Sequence, residues 1–338
     1  MSHPPRAETS APAREASTPD VAEEPVHPLP PTPLPPERAS RVSNLALRLA
    51  TASIVIPLVL WLIAIGGVPY LLAIVVITVL SLREFYRLIE DKGAHPLVGF
   101  GLAAGAALPV VAYLGNEYHA TLIMTAVLLG VMVAQVGKAE ITEALASISG
   151  TFFGVFYVSW LLSHAIVLRQ FHEVVSARFG PAAAAQFSPD AGAFYMVFAL
   201  AALVGCDAGA YFAGRQWGRR KLAPQISPGK TVEGALGGVA GGTLNALLFK
   251  GIFDLWWPDL SRGFPWAAAL VFAMLLTMVG IIGDLVESLL KRDAQRKDAG
   301  ALLPGMGGFL DRIDSSLLGI PVMYYLLLSY TYLRLSPA

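Results

Sequence analysis

The sequence predicts an all-α fold: a polytopic integral membrane bundle of about nine transmembrane helices, N-terminus inside and C-terminus outside. Three observations predict it. Hydrophobic residues make up 55% of the 338 residues and charged residues 14%, against about 25% charged in soluble domains. Apolar stretches of about 20 residues, enough to cross a ~30 Å hydrocarbon layer, recur from residue 44 onward. Lys and Arg are sorted between alternate loops, as membrane insertion requires. The formal net charge is zero, so no global basic field argues for nucleic acid. A single cysteine, Cys206, excludes an intramolecular disulfide and any multi-cysteine zinc site. The first forty residues lack an apolar core, and no secretory signal is expected there.

Residues 1–43 form a Pro-rich segment, with eleven of the 24 prolines in the first forty positions. Such a composition buries too little apolar surface to offset its ordering entropy, so a disordered cytoplasmic tail is expected. The tract from His27 to Pro36 favours polyproline II and contains PxxP spacing, although a plain extended tail accounts for it on composition alone.

Nine helical spans follow, at about 45–66, 68–88, 97–115, 118–136, 150–170, 192–213, 233–255, 265–290 and 315–334. The second and eighth run past their apolar cores into amphipathic ends, at 83–88 and 287–292. We divide them into N-terminal membrane helices, 44–191, and C-terminal membrane helices, 192–338, which carry the charged motifs. With the N-terminus inside, fourteen Lys and Arg fall on inner loops, Lys138 among them, and five on outer segments. That bias supports the assigned orientation. Trp256, Trp257 and Trp266 stand where amphipathic rings meet headgroups.

The sixth span ends in a polar face. At 3.6 residues per turn, Asp207, Tyr211, Gly214 and Gly218 align. The glycines suit close helix approach, whereas an acid near membrane depth is a functional candidate. The loop beyond contains Ser227-Pro228-Gly229-Lys230-Thr231. Pro228 suits a helix start, and Lys230 with the two hydroxyls suits phosphate oxygens. It is no P-loop: the first glycine of that motif would fall on Pro224. Arg219, Arg220 and Lys221 suit anionic lipid equally well.

Residues 283–316 carry five Lys and Arg and six Asp and Glu between two apolar spans. Charge that dense at a membrane is costly unless it has a function. Asp284, Glu287, Ser288 and Lys291 follow i, i+3, i+4, i+7 and share a helix face. A glycine turn around Gly305, Gly307 and Gly308 leads to Asp311 and Asp314, themselves i and i+3. One acid there would merely favour the helix dipole. Hard carboxylates converging from two helices beside basic residues suit Mg²⁺ bridging phosphates.

These residues resemble the signature of the phosphatidate cytidylyltransferase (CDP-diacylglycerol synthase) family. Ser288, Leu290, Lys291, Arg292, Lys297, Asp298, Gly300, Leu303, Pro304, Gly307, Gly308, Phe309, Asp311, Arg312, Ile313 and Asp314 stand at its spacings. Asp207, Ala210, Tyr211, Gly214, Gly218, Ile226, Ser227, Pro228, Lys230, Thr231, Glu233 and Gly234 match its upstream pieces. One position departs: the family histidine is Met306 here, and a thioether donates no hydrogen bond. The resemblance covers about 200–330. It implies transfer of CMP from CTP to phosphatidate at the cytoplasmic face of a bacterial inner membrane, for phospholipid biosynthesis. Asp284, Asp311 and Asp314 would be catalytic and bind Mg²⁺, with Asp207 as a further ligand and a second metal ion left open. Lys291 and Lys297 would be catalytic, and Ser227, Lys230, Thr231, Ser288, Arg292 and Arg312 would hold substrate. The rivals are transfer to an isoprenoid acceptor, an ion-coupled transporter and an inactive scaffold. The glycines at 237, 238, 241 and 242 leave a homodimer open.

Overall fold

In the computed structural model, which describes residues 37–115, 117–137, 143–300, 302 and 307–335, helices follow one another in chain order around a single short hairpin among the described residues. The proline tract, Lys138 and 303–306, with Met306, lie outside them. The helices are α1 (Glu37–Ile65), α2 (Gly67–Asp91), α3 (Val98–Tyr113), α4 (Glu117–Val136) and α5 (Ala144–Gly154). A π-helical segment, Val155–Trp160, joins α5 to α6 (Leu161–Arg169). The short α7 (Phe171–Phe179) and α8 (Pro181–Ala184) lead to α9 (Ala191–Trp217). Strands β1 (Lys221–Ala223) and β2 (Ser227–Thr231) pair antiparallel. Then come α10 (Val232–Trp256), α11 (Pro258–Ser261), α12 (Trp266–Asp293) and α13 (Leu310–Leu335).

Among the described residues, seven helical segments are long and apolar enough to cross a membrane. Two shorter apolar helices, Ala50–Ile65 and Val98–Tyr113, stand at the first and third expected positions. The burial pattern is that of a membrane bundle. On α10 the buried face is Gly234, Gly238, Gly242, Ala246 and Lys250, while Leu236, Leu244, Leu248 and Leu255 are exposed. Small residues inside and large apolar ones outside invert the arrangement of a soluble helix. In lipid, which solvates leucine well, close backbone packing holds helices together instead. The chain is an all-α polytopic membrane protein.

That packing is tightest between α9 and α10. A Cβ added at Gly209 would overlap the Gly237 carbonyl and lie 3.1 Å from Gly241 Cα. The glycine faces of both helices therefore meet within one chain, and Gly237, Gly238, Gly241 and Gly242 are engaged in this contact.

The loop expected before α10 is a hairpin. Pro228 sits in β2, and the helix begins four residues later. A two-stranded hairpin has only edge strands, which tolerate proline. Thr231 is the better cap: its Oγ1 accepts the Gly234 N–H at 3.0 Å, satisfying one of the first-turn donors that a helix leaves unpaired.

The start of α9 lies in an aromatic cluster of Phe171, Phe187, Phe194, Tyr195, Phe198 and Phe264, all buried. Thirteen residues beyond Phe194, at about 1.5 Å per residue, Asp207 is roughly 20 Å away. Asp207, Lys230 and Asp284 are gathered near that second end.

Candidate active site

Close helix approach builds the site. At Gly283 of α12 a Cβ would lie 3.0 Å from the Asp314 carbonyl and 3.2 Å from Ser315 Cα. The missing side chain lets α12 and α13 touch there, setting Asp284 beside Asp314. One carboxylate oxygen each from Asp284, Glu287 and Asp314 lies within 4.8 Å of the others. Glu287 is fully buried, and its Oε1 has no hydrogen-bond partner among the described residues. A buried carboxylate oxygen without a donor is costly. Three oxygen-donor side chains with capacity left over fit a hard divalent cation.

Lys291, one turn beyond Glu287, lies 2.6 Å from Glu287 Oε2 and 2.8 Å from Asp311 Oδ1. Asp311 also accepts the backbone N–H groups of Ala299 and Gly308, at 3.1 and 3.0 Å. Its oxygens are thus committed to Lys291 and to the turn that precedes α13. Gly307 makes that turn with φ +88°, a conformation that side chains rarely allow. Of the three aspartates expected to act together, the structure groups Asp284 and Asp314 with Glu287. Asp311 stands beside Glu287, within side-chain hydrogen-bond reach of it and joined to it through Lys291.

Beside this group a cavity of about 430 Å³ opens between α9, β2, α10 and α12. Asp207, Tyr211, Lys230, Thr231 and Asp284 line it. Lys230 reaches across it to Asp284, with Nζ–Oδ2 of 2.6 Å. Asp207 lies within electrostatic reach of Asp284, Lys230 and Arg312. The two sequence clusters, separated by some fifty residues, therefore meet in one pocket.

The remaining expected residues are placed less centrally. The lining of the cavity leaves out Ser227. Thr231 lines it, with its oxygen engaged as the helix cap. Arg292 is exposed and donates to the Ile226 carbonyl at 3.3 Å, tying α12 to the hairpin. Lys297 and Arg312 are exposed, and Ser288 is half-buried.

Three residues join the site from outside the expected set. Glu287 belongs to the polar face of α12, and its i, i+3 spacing from Asp284 is the signal that marks it. Tyr157, in the π-helical segment, is buried with a hydroxyl lacking a partner among the described residues. It lies within electrostatic reach of Glu287 and Asp314, and π-segments often accompany functional sites. Glu84 of α2 is fully buried and accepts the Leu310 N–H at 2.9 Å. No local pattern in the sequence marks Tyr157 or Glu84.

Apolar helices and a pocket that joins Asp207 and Asp284 to Lys230 define a class: an integral membrane protein with a charged pocket among its helices. Comparison with known proteins defines it further. The profile described as "Cytidylyltransferase family" matches residues 46–330. A phosphatidate cytidylyltransferase from Synechocystis sp. is 32% identical over 287 residues, 82% of this chain and 94% of the relative. One from Brucella suis is 31% identical over 283 residues, covering 84% and 93%. One from Bacillus subtilis is 45% identical over 136 residues, 40% of this chain and 48% of the relative. The chain belongs to the cytidylyltransferase family and is a nucleotidyltransferase.

Proposed function

We propose that the protein transfers the cytidylyl group of CTP to phosphatidate, forming CDP-diacylglycerol and pyrophosphate. The observation that carries this reading is the meeting of Asp284, Glu287 and Asp314 with Lys230 and Lys291 at one end of the bundle. The names of the relatives support the lipid acceptor.

An oxygen of the lipid phosphate attacks the α-phosphorus of CTP in line. The new P–O bond forms as the bond to the β-phosphate oxygen breaks, and pyrophosphate leaves with that electron pair. The attacking phosphate is already ionised, so alignment and charge neutralisation, rather than a strong base, carry the catalysis. Asp284, Glu287 and Asp314 would hold Mg²⁺, which when bound neutralises phosphate charge, with Asp207 placed to share a second ion. Lys230 spans the cavity and can exchange Asp284 for a phosphate oxygen. Lys291 keeps Glu287 and Asp311 in place through two short ion pairs. Arg292, Lys297 and Arg312 are exposed near the site and suit the nucleotide phosphates, while Ser227, Thr231 and Ser288 rank below them as phosphate ligands.

Nine spans, N-in and C-out, would set this end at the cytoplasmic face of a bacterial inner membrane, where CTP is available. The fourteen-to-five distribution of basic residues supports that orientation. Transfer to an isoprenoid acceptor is the nearest rival. Detergent-purified protein given CTP and Mg²⁺ should release pyrophosphate with phosphatidate in preference to an isoprenoid phosphate. Preference for the isoprenoid would transfer the reading to that acceptor, and release with neither would reject it.

A further inference from the structure

We infer that Glu84 is a positioning residue for the carboxylate site, although it stands 226 residues from its partner in the sequence. The inference rests on the reading above, in which Asp314 and its neighbours carry the chemistry. Glu84 lies on the last third of α2, and its side chain is fully buried. Its Oε2 accepts the N–H of Leu310, the first residue of α13, at 2.9 Å. Two glycines lie flat against the same carboxylate. A Cβ at Gly308 would sit 2.5 Å from Oε2, and one at Gly300 would overlap Oε1.

On the other side of that turn stands Asp311, accepting from Ala299 and Gly308. Residues 299–300 and 307–308 are therefore gripped between two carboxylates, one from α2 and one from α13. Capping a helix takes only a short polar side chain. A buried glutamate with glycines shaped around it does more: it sets where the first turn of α13 begins. Asp311 lies in that turn and Asp314 opens the next, so any shift in its start displaces both. Glu84 belongs neither to the cavity lining nor to the acid triad, and its effect passes through the turn.

The test compares the full-length Glu84→Ala, Glu84→Gln, Gly300→Ala and Glu84→Ala/Gly300→Ala proteins in detergent. Mn²⁺ affinity is read by electron paramagnetic resonance, and turnover is counted per folded molecule. Glu84→Ala should weaken Mn²⁺ binding and turnover by about 10-fold or more, the usual cost of losing a supporting contact. Glu84→Gln keeps an acceptor for Leu310 and should stay within about threefold of the parent on that scale. Gly300→Ala should resemble Glu84→Ala. In the double variant the new methyl enters vacated space, so its loss should not exceed that of the worse single variant. If Glu84→Ala does not fold, Gly300→Ala and Glu84→Gln still decide the matter. Unchanged Mn²⁺ affinity in Glu84→Ala or Gly300→Ala, or losses that multiply in the double variant, would overturn the positioning role. A parent protein that binds Mn²⁺ but makes no CDP-diacylglycerol would instead fail the functional reading and leave this one to be judged on Mn²⁺.

Discussion

Removing the charge of Lys291 should unfold the site before it slows it. Its Nζ lies 2.6 Å from Glu287 and 2.8 Å from Asp311, and the three side chains are 14%, 1% and 6% exposed. At an effective dielectric of about 20, each contact is worth about 6 kcal/mol before desolvation. Desolvation takes back much of that, yet removing one partner of a buried pair still costs about 3–5 kcal/mol, because the other charge remains. Lys291→Met strands two carboxylates, which places it at the upper end of that range. At about 2 °C or more per kcal/mol, the midpoint of thermal unfolding in detergent should fall by about 10 °C. The triple variant Glu287→Gln/Lys291→Met/Asp311→Asn removes the stranded charges and should recover most of the loss, while cytidylyl transfer stays absent. A Lys291→Met protein melting within about 2 °C of the parent would refute the reasoning, since the pairs would then be solvated and worth little.

Two further outcomes separate packing from chemistry. Gly209→Ala forces a methyl into the α9–α10 backbone contact and should cost about 1–3 kcal/mol. Unchanged melting would contradict that close approach. Lys250 is buried, with Nζ 2.7 Å from Asp254 and 5.2 Å from the Trp266 ring centroid, at the end of α10 away from the cavity. Lys250→Met should destabilise by about 1–3 kcal/mol, since Asp254 is a third exposed and keeps Ser261, yet leave turnover per folded molecule unchanged. Lost turnover in the folded fraction would show that this end communicates with the site.

The helices were legible because hydropathy alone reports them. Their inverted burial on α10 was not, since small residues inside become visible only when α9 is laid against them. Within each charged cluster, spacing identified the helix faces, and the meeting of Lys230 with Asp284 accords with the expectation of one shared site. What spacing cannot show is which oxygen is already engaged. Asp311, at i, i+3 from Asp314, accepts from Ala299 and Gly308 and pairs with Lys291. Thr231, which lines the cavity, also caps a helix. The hairpin was hidden because strands of three and five residues, one containing Pro228 and Gly229, carry almost no propensity signal. Glu84 was out of reach of any local pattern, because its partner at Leu310 is brought to it only by the packing of α2 near α13.

The central claim is that the acids between α12 and α13 serve cytidylyl transfer to phosphatidate. CTP labelled at the α-phosphorus, incubated with phosphatidate, Mg²⁺ and the purified protein, tests it most directly. Label should enter the lipid phase as CDP-diacylglycerol, and Asp284→Asn should lower that rate by about 10²–10³, as loss of a positioned charge in a site does. Label confined to the aqueous phase with the folded parent, or an undiminished rate in Asp284→Asn, would contradict it.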